Sequence, residues 1–457
     1  MSKIDPKYSK LTPEIIRLAQ TAREVGYIDP ALYEKYHVKR GLRDVNGQGV
    51  LTGLTEIAEV HSYSIVDAEY VPCEGKLFYR GIDIEEMVDS YKRNNSFGFE
   101  ETTYLLMFGL LPTESDLEGF KKLLNEYRIL PTGFVRDVIL KAPSRDVMNS
   151  LARSVLTLYS YDANADDTSV ENVMRQCLQL VATFPMLALY SYQAIKHYHD
   201  FGDLLIRTPN PEYTTAQNIL NLLRPDGKFT DLEAKALDLA LVVHADHGGG
   251  NNSAFTTHVV TSTGTDTYSA IAAALGSLKG PRHGGANIKV VKMVEDMKEK
   301  LSDWEDEEAI KAYLVDVLDK KAFDKSGLIY GVGHAVYSLS DPRAKVFKSF
   351  VEKLAEENGQ MEEYKLYLKI EKLAPEIIMS RRKVFKGVCI NVDFYSGFVY
   401  KMLGLPQELY TPLFAIARIS GWCAHRIEEI VNMGKIIRPA YKNVAKHKKY
   451  VPMDERK

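Results

Sequence analysis

Gly280-Pro-Arg-His-Gly-Gly-Ala-Asn287 runs without a break into Ile288-Lys-Val-Val-Lys-Met-Val-Glu-Asp-Met-Lys-Glu-Lys-Leu301. In the second part the apolar residues recur every three or four positions, the spacing that places them on one face of a helix. The first part has no such period. It holds glycines, which permit close backbone approach to a ligand, and one imidazole, His283. His283 therefore stands at the start of a predicted helix, where the positive end of the helix dipole disfavours an imidazolium. A neutral imidazole there can donate a hydrogen bond to an oxygen gaining negative charge, an electrophilic role and not that of a base. The competing reading is a hydrogen-bonded core histidine.

The same helical period recurs along most of the chain. It covers Ile82 to Ser90, Phe99 to Gly109, Glu114 to Tyr127, Val147 to Ser160, Val170 to His199, Ala216 to Leu223 and Leu232 to His244. It resumes at Tyr268 to Leu278, Ala309 to Asp319, Arg343 to Glu357, Met361 to Leu373, Gly397 to Leu403 and Pro412 to Val431. Residues 11 to 25 read as a further helix, with Thr12 as N-cap, Pro13 at the first position, Glu14 in the first turn and Gly26 as the stop; a short one follows Asp29-Pro30. From about Gly49 to Tyr79 the mixture of Gly, Thr, Val, Ser and Tyr breaks the period and predicts loops with short strands. The expected fold is mostly α, with a minor β region near residues 49–80. The Lys-rich end from Lys442 reads as a solvated tail.

Charge excludes some partners. With 58 Lys plus Arg against 61 Asp plus Glu in 457 residues, no global basic field points to nucleic acid. Any anion site must be local. Cys73, Cys177, Cys389 and Cys423 lie far apart with no C-x-x-C pair, which fits neither a zinc knuckle nor a disulfide framework and suits a reducing compartment. The N-terminus shows no apolar targeting core, and no run of about 18 apolar residues predicts a membrane span. The expectation is a soluble cytoplasmic protein.

Three further islands break the helical period: His244-Ala-Asp-His247-Gly-Gly-Gly-Asn-Asn-Ser253, Gly331-Val-Gly-His334-Ala-Val, and Asn391-Val-Asp393-Phe-Tyr-Ser-Gly397. Asp393, followed by two aromatic residues, is a candidate general base if burial raises its pKa; the ordinary reading of Asn-Val-Asp, taken alone, is a helix cap. His244 and His247 share a helix face with metal-ligand spacing, yet no third ligand cluster accompanies them and the glycines after His247 favour contact with a small molecule.

Together these islands resemble the citrate synthase family in sequence and order, from about Gly49 to Tyr441. The motifs are Gly-Pro-x-His-Gly-x-Ala-Asn at 280–287, Gly-x-Gly-His-Ala-Val at 331–336 followed by Asp341-Pro342-Arg343, and Asn-Val-Asp-Phe-Tyr-Ser-Gly at 391–397. Leu77 to Asp83 and Arg418-Ile-Ser-Gly-Trp-Cys-Ala-His425 support a bacterial or archaeal branch. The resemblance implies a two-domain helical fold, with a large domain of residues 1–283 plus 393–457 and a small CoA-binding domain of 284–392 that closes over substrate. It implies that Asp393 takes a proton from the methyl group of acetyl-CoA, that His283 stabilises the enolate and that His334 polarises or protonates the ketone of oxaloacetate. Hydrolysis of citryl-CoA then yields citrate and CoA.

It further implies that His247, Arg343, Arg418 and Arg438 hold oxaloacetate, arginine's planar fork suiting a carboxylate. Arg438 would reach across a homodimer into the partner's site. Leu328, Ile329, Tyr330 and Gly331 match the family's adenine-contacting segment, and Lys386, after Arg381, Arg382 and Lys383, is a candidate for CoA phosphates. The family requires no metal and no cofactor, acetyl-CoA being a substrate. Two alternatives stand beside this: a 2-methylcitrate synthase using propionyl-CoA, and a non-enzymatic paralogue that binds a CoA thioester.

Overall fold

Helices dominate the chain because its apolar residues keep the 3.6-residue period and its polar ones cap the ends. The computed structural model describes residues 9–43, 49–66, 69–382, 387–432 and 434–456. Its helices are α1 (Pro13–Val25), α2 (Ala31–Lys35), α3 (Ile84–Arg93), α4 (Phe99–Phe108), α5 (Glu114–Tyr127), α6 (Val147–Leu158), α7 (Val170–Tyr198), α8 (Thr215–Leu223) and α9 (Asp231–His244). They continue as α10 (Asn252–Thr261), α11 (Thr267–Lys279), α12 (Ala286–Lys300), α13 (Glu307–Leu318), α14 (Pro342–Glu357), α15 (Met361–Arg381), α16 (Val392–Met402) and α17 (Tyr410–Val431). Strands β1 (Ala58–Val66), β2 (Glu69–Tyr79) and β3 (Ile82–Asp83) form one antiparallel sheet in that order, with an irregularity between His61 and Tyr63.

Two compact units are present: Met1–Thr52 with Ile436–Lys457, and Gly53–Lys435. In the first, Thr12 caps α1 by accepting from Ile15 N at 3.2 Å, and Pro13 opens the helix, as expected. Neither α1 nor α2 buries a residue, and the Lys-rich tail is exposed. The expected domain boundaries at 283/284 and 392/393 both fall inside the second unit.

The second unit is built around α17, buried continuously from Tyr410 to Ile427 and packed against α4, α7, α9, α10 and α11. Each fully buried large apolar side chain contributes about 1.5–3 kcal/mol, so this hub anchors the unit. Threonine capping boxes at Thr113, Thr214 and Thr230 fix the starts of α5, α8 and α9, each worth about 1 kcal/mol. Helices α12 to α16 form a second packed group: α13 and α14 lie on α15, while α12 and α14 lie on α16. That group meets the rest where α14 and α16 contact α9. Among the described residues no helix is long and apolar enough to cross a membrane.

Four local outcomes differ from the periodicity reading. The strands are longer than expected, nine and eleven residues, because β1 and β2 pair along their length as one hairpin. Helix α10 was not signalled: its Thr- and Val-rich sequence lacks an amphipathic stripe, yet Asn251 caps it by accepting from Ser253 N. Helix α15 passes through Pro375 to Arg381, since Ala374 and Ile378 continue its buried face. Helix α16 begins at Val392 and not at Gly397, because Asn391 accepts from Asp393 N at 2.9 Å.

Candidate active site

Asp341 organises one wall. It is the N-cap of α14, with Pro342 at the first helical position, and its carboxylate is almost wholly buried. Oδ1 accepts from Arg343 N and Nε, each at 3.0 Å; Oδ2 accepts from Arg343 Nη2 at 2.8 Å and from Val392 N at 3.1 Å. One acid therefore ties the α14 start to the α16 start and clamps Arg343 by two of its three nitrogens. Burial lowers the Arg343 pKa, but the charge and hydrogen bonds of Asp341 outweigh it and leave the guanidinium pKa raised.

The His334 island hangs on the same wall. Nδ1 of His334 accepts from Val336 N at 3.0 Å and Tyr337 N at 3.1 Å. An imidazole nitrogen that accepts twice carries no proton, so in the neutral ring the proton is on Nε2. That nitrogen stands 3.4 Å from Arg343 Nη2, a contact too long and too donor-rich to be more than proximity. Asn391 Nδ2 donates to Gly333 O at 2.8 Å, and Asn391 N to Gly331 O at 2.9 Å, docking the island beside Asp393. Gly331 has φ 78°, and a Cβ there would lie 2.9 Å from Val290 Cγ2 and 3.0 Å from Phe394 Cα. Only glycine fits.

The opposite wall comes from the end of α9 and the middle of α17. Arg418 is fully buried; Nε donates to His244 O at 2.7 Å, and the guanidinium lies 4.8 Å over the Phe414 ring. Both terminal nitrogens, Nη1 and Nη2, are buried without a partner. An unpaired buried donor costs about 1–3 kcal/mol, and more for a charged group. Burial drives the Arg418 pKa down to about 10, against the opposing charge of Asp246. His247 Nε2 and both ring nitrogens of His244 are likewise buried and unpartnered. Burial first, then the charges of Arg343 and Arg418, hold both histidines far below their ordinary pKa. The His247 ring lies 5.4 Å from that of His334, so the two walls face each other.

His283 and Asp393 complete the cleft. His283 is neutral, its pKa lowered to about 4 by burial and then by the charge of Arg418; the helix dipole expected from its position is not needed as the cause. Its Nε2 is 3.1 Å from Ser253 Oγ, which also receives Trp422 Nε1 at 3.0 Å. Asp393 is not the cap of α16, since Asn391 does that. Burial raises the Asp393 pKa to about 6; the charge of Arg343 opposes the rise and that of Asp341 adds to it. A carboxylate of that strength can take a proton near neutral pH.

The sequence-predicted residues thus separate into two sets. His247, His283, His334, Arg343, Asp393 and Arg418 all belong to this cleft. Arg438 lies in the terminal unit, where it is exposed. Of the expected CoA segment, Leu328 is half exposed, Ile329 is buried and Tyr330 donates to Asp324 Oδ2 at 2.7 Å. Lys386 and Lys383 lie outside the described residues; Arg381 donates to Asp319 Oδ1 at 3.0 Å and Arg382 to Gly327 O. Asp246 was singled out only as a possible metal-site companion of His244 and His247, and Asp341, Ser253 and Gly421 were given no role. Asp341 had a readable signal in Asp-Pro before a periodic run. Gly421 had none, although a Cβ there would sit 2.3 Å from Asp246 Oδ1.

With two buried arginines, three neutral histidines and a weakly acidic carboxyl around one cleft, comparison with known proteins is decisive. Residues 46–440 match the family model described as citrate synthase, C-terminal domain. The chain belongs to the citrate synthase family. A citrate synthase of Haloferax volcanii is 33% identical over 425 residues, covering 92% of this chain and 99% of that protein. A 2-methylcitrate synthase of Shewanella oneidensis is 32% identical over 369 residues, covering 80% and 87%. The citrate synthase of Thermoplasma acidophilum, solved as a ternary complex with carboxymethyl coenzyme A and oxaloacetate, superposes with a TM-score of 0.74 at 26% identity, over 91% of this chain and 98% of that one. The mostly α architecture is therefore that of citrate synthases, acyltransferases by family.

Proposed function

We propose that this chain condenses oxaloacetate with the methyl carbon of acetyl-CoA and hydrolyses the product thioester to citrate and CoA. The observation that carries the reading is Arg418: a fully buried guanidinium with both terminal nitrogens unpaired, beside the unpaired Nε2 of His247. Such a group suits a small carboxylate-bearing substrate, since a carboxylate pairs both nitrogens at once. Arg343, whose Nη2 lies 3.4 Å from His334 Nε2, stands on the facing wall, and Arg438 of a partner chain completes the clamp in a homodimer.

Each step has a residue matched to it. Asp393 takes a proton from the methyl group, and its raised pKa suits that transfer. His283, held neutral, donates a hydrogen bond from Nδ1 to the thioester oxygen as it becomes an enolate, while Ser253 Oγ–H donates to its Nε2. The enolate carbon then attacks the ketone carbon of oxaloacetate, and the forming alkoxide is met by His334 Nε2–H, whose tautomer the amides of Val336 and Tyr337 enforce. Water finally cleaves the thioester.

The CoA moiety is taken to lie along residues 328–331, with Lys386 at its phosphates. Residues 284–392 act as the closing domain against 1–283 and 393–457, excluding water once oxaloacetate is bound. Acetyl-CoA enters as a substrate, so no resident cofactor is involved. Four free cysteines support a cytoplasmic setting.

A second reading, 2-methylcitrate synthesis from propionyl-CoA, is favoured by relatives of that name at similar identity. One methylene is worth only about 1–3 kcal/mol of discrimination. The test is release of CoA thiol from purified protein with oxaloacetate and either acetyl-CoA or propionyl-CoA. A higher kcat/KM for acetyl-CoA is expected; preference for propionyl-CoA moves the assignment to the second reading. No release with either would leave a thioester-binding paralogue.

A further inference from the structure

Two histidines behind the oxaloacetate wall face each other in a way that two neutral imidazoles, each bonded to its own carboxylate, do not explain. His258, on α10, and His425, on α17, bring Nε2 and Nδ1 to 3.0 Å. Each outer nitrogen already has a carboxylate: His258 Nδ1 lies 2.8 Å from Glu429 Oε2, and His425 Nε2 lies 3.1 Å from Asp246 Oδ1. A neutral imidazole has one N–H, and a carboxylate can only accept it. With both protons on the outer nitrogens, the inner ones present lone pairs to each other, and either one further proton or a metal ion lies between them.

A third donor points to the same place. Glu428 Oε1 accepts from Glu56 N at 2.8 Å, but Oε2 is buried without a hydrogen-bond partner and lies 3.9 Å from His425 Nδ1. His258, His425 and Glu428 each offer one ligand atom, all within 4.8 Å of one another. Bonds of about 2.0–2.1 Å in a tetrahedral shell set ligand atoms about 3.3–3.4 Å apart, so the nitrogens open by a few tenths of an ångström while the Glu428 carboxylate swings in by about 0.5 Å toward His425 and by up to about 1.4 Å toward His258.

We propose that His258, His425 and Glu428 bind one divalent transition-metal ion of the zinc type, joining α10 to α17. The outer carboxylates Glu429 and Asp246 are the partners that metal-bound imidazoles use to fix their tautomer. Two imidazoles with one carboxylate select zinc or its first-row neighbours over magnesium and calcium, which take oxygen shells. Where a proton bridges the two rings beforehand, metal entry releases it. The Glu429 side chain is 16% exposed and gives the ion a path from solvent.

The site is structural and lies outside the chemistry. Through Asp246, whose Oδ2 accepts from Gly248 N at 2.7 Å, it braces the turn that carries His247.

The experiment is titration of chelator-stripped full-length protein with Co²⁺, read by its visible d–d absorption, followed by displacement with Zn²⁺. One Co²⁺ per chain is expected, with a rise in Tm on Zn²⁺ addition. His258→Gln should abolish the stoichiometric signal. Glu428→Gln, which keeps an oxygen for Glu56 N, should weaken binding, and Glu429→Gln should weaken it about 10–100-fold. Far-UV circular dichroism of each stripped variant checks folding independently of metal. Absence of stoichiometric binding by the unsubstituted protein, or wild-type binding by both His258→Gln and Glu428→Gln, overturns the proposal. No substrate is present, so either result is separate from the condensation assay.

Discussion

Replacing Arg418 by Met should leave the stability of the protein without substrate within about 1 kcal/mol of wild type and abolish its stabilisation by oxaloacetate. The guanidinium is fully buried and its pKa is depressed from 12.5 to about 10. A base with a lowered folded-state pKa disfavours its charged form in the fold; the cost is complete at every pH below about 10 and so at pH 7. At 1.36 kcal/mol per unit the depression corresponds to about 3 kcal/mol. Methionine fills similar volume and loses one charge-assisted hydrogen bond to His244 O, about 1.5–3 kcal/mol, and the contact over Phe414, about 0.5–1 kcal/mol. Gain and loss nearly cancel, to within about 1 kcal/mol. Binding changes more. Two charge-assisted bonds to a carboxylate are worth about 3–6 kcal/mol, so Kd for oxaloacetate should weaken about 10²–10⁴-fold. Thermal unfolding with and without oxaloacetate reads both effects. At 100 times the wild-type Kd, the wild type gains about 2.7 kcal/mol and the variant at most about 0.4 kcal/mol. A substrate-free variant destabilised by about 3 kcal/mol or more, or an oxaloacetate shift equal to that of wild type, would refute the reasoning.

Asp393→Asn should cut kcat by at least about 10²-fold while oxaloacetate affinity by calorimetry stays within about twofold; near-normal turnover removes Asp393 as the base. Because the active form of Asp393 is the carboxylate and its pKa is about 6, activity is retained above that pH and kcat/KM falls about tenfold per unit below it. An onset of loss near pH 4 would mean an unperturbed carboxylate. Gly331→Ala, at φ 78° with Phe394 Cα 3.0 Å from the added methyl, should cost about 1–2 kcal/mol in urea denaturation and raise KM for acetyl-CoA more than for oxaloacetate. Oxaloacetate binding should take up protons at about pH 5 and none at about pH 8, since pairing Arg418 and Arg343 with carboxylates removes charges that hold His247 and His283 neutral. Calorimetry in buffers of different ionisation enthalpy measures this, and equal uptake at both pH values would contradict it.

Helix period was the most legible signal. Glu114 to Tyr127 is the observed α5 to the residue, because Thr113 and Asp116 form a capping box just before an amphipathic stripe. α10 was not legible, since Asn252 to Thr261 is held by its position beside α11 and α17 and not by a stripe of its own. In the cleft, motif residues were readable by their glycine settings, but their states were not. The neutrality of His283 depends first on its burial and then on Arg418, 135 positions away in the chain. The tautomer of His334 depends on two amides of a loop, and the fit of Asp246 depends on Gly421 lacking a Cβ. Such facts belong to tertiary packing. The pair formed by Asp341 and Arg343 was hidden for the opposite reason: two residues in a row of three look like a cap, and only the bond to Val392 N reveals a link between helices.

The electrostatics of the cleft are asymmetric, and that asymmetry ties its parts into one device. Arg343 is answered by Asp341, so its charge is fixed in place and costs little. Arg418 is not answered by hydrogen bonds at its outer nitrogens, so its charge is held in reserve for a ligand. Meanwhile the two cations, with burial, keep His244, His247 and His283 unprotonated. A site of five cations would bind any anion tightly and would leave no neutral donor for a carbonyl. Two cations and three neutral rings instead separate the work: charge for carboxylates, uncharged N–H groups for oxygens that become anionic only during reaction. Asp393 fits the same scheme. The cation nearest its own wall, Arg343, is the one already neutralised by Asp341, and so burial can raise its pKa into the working range.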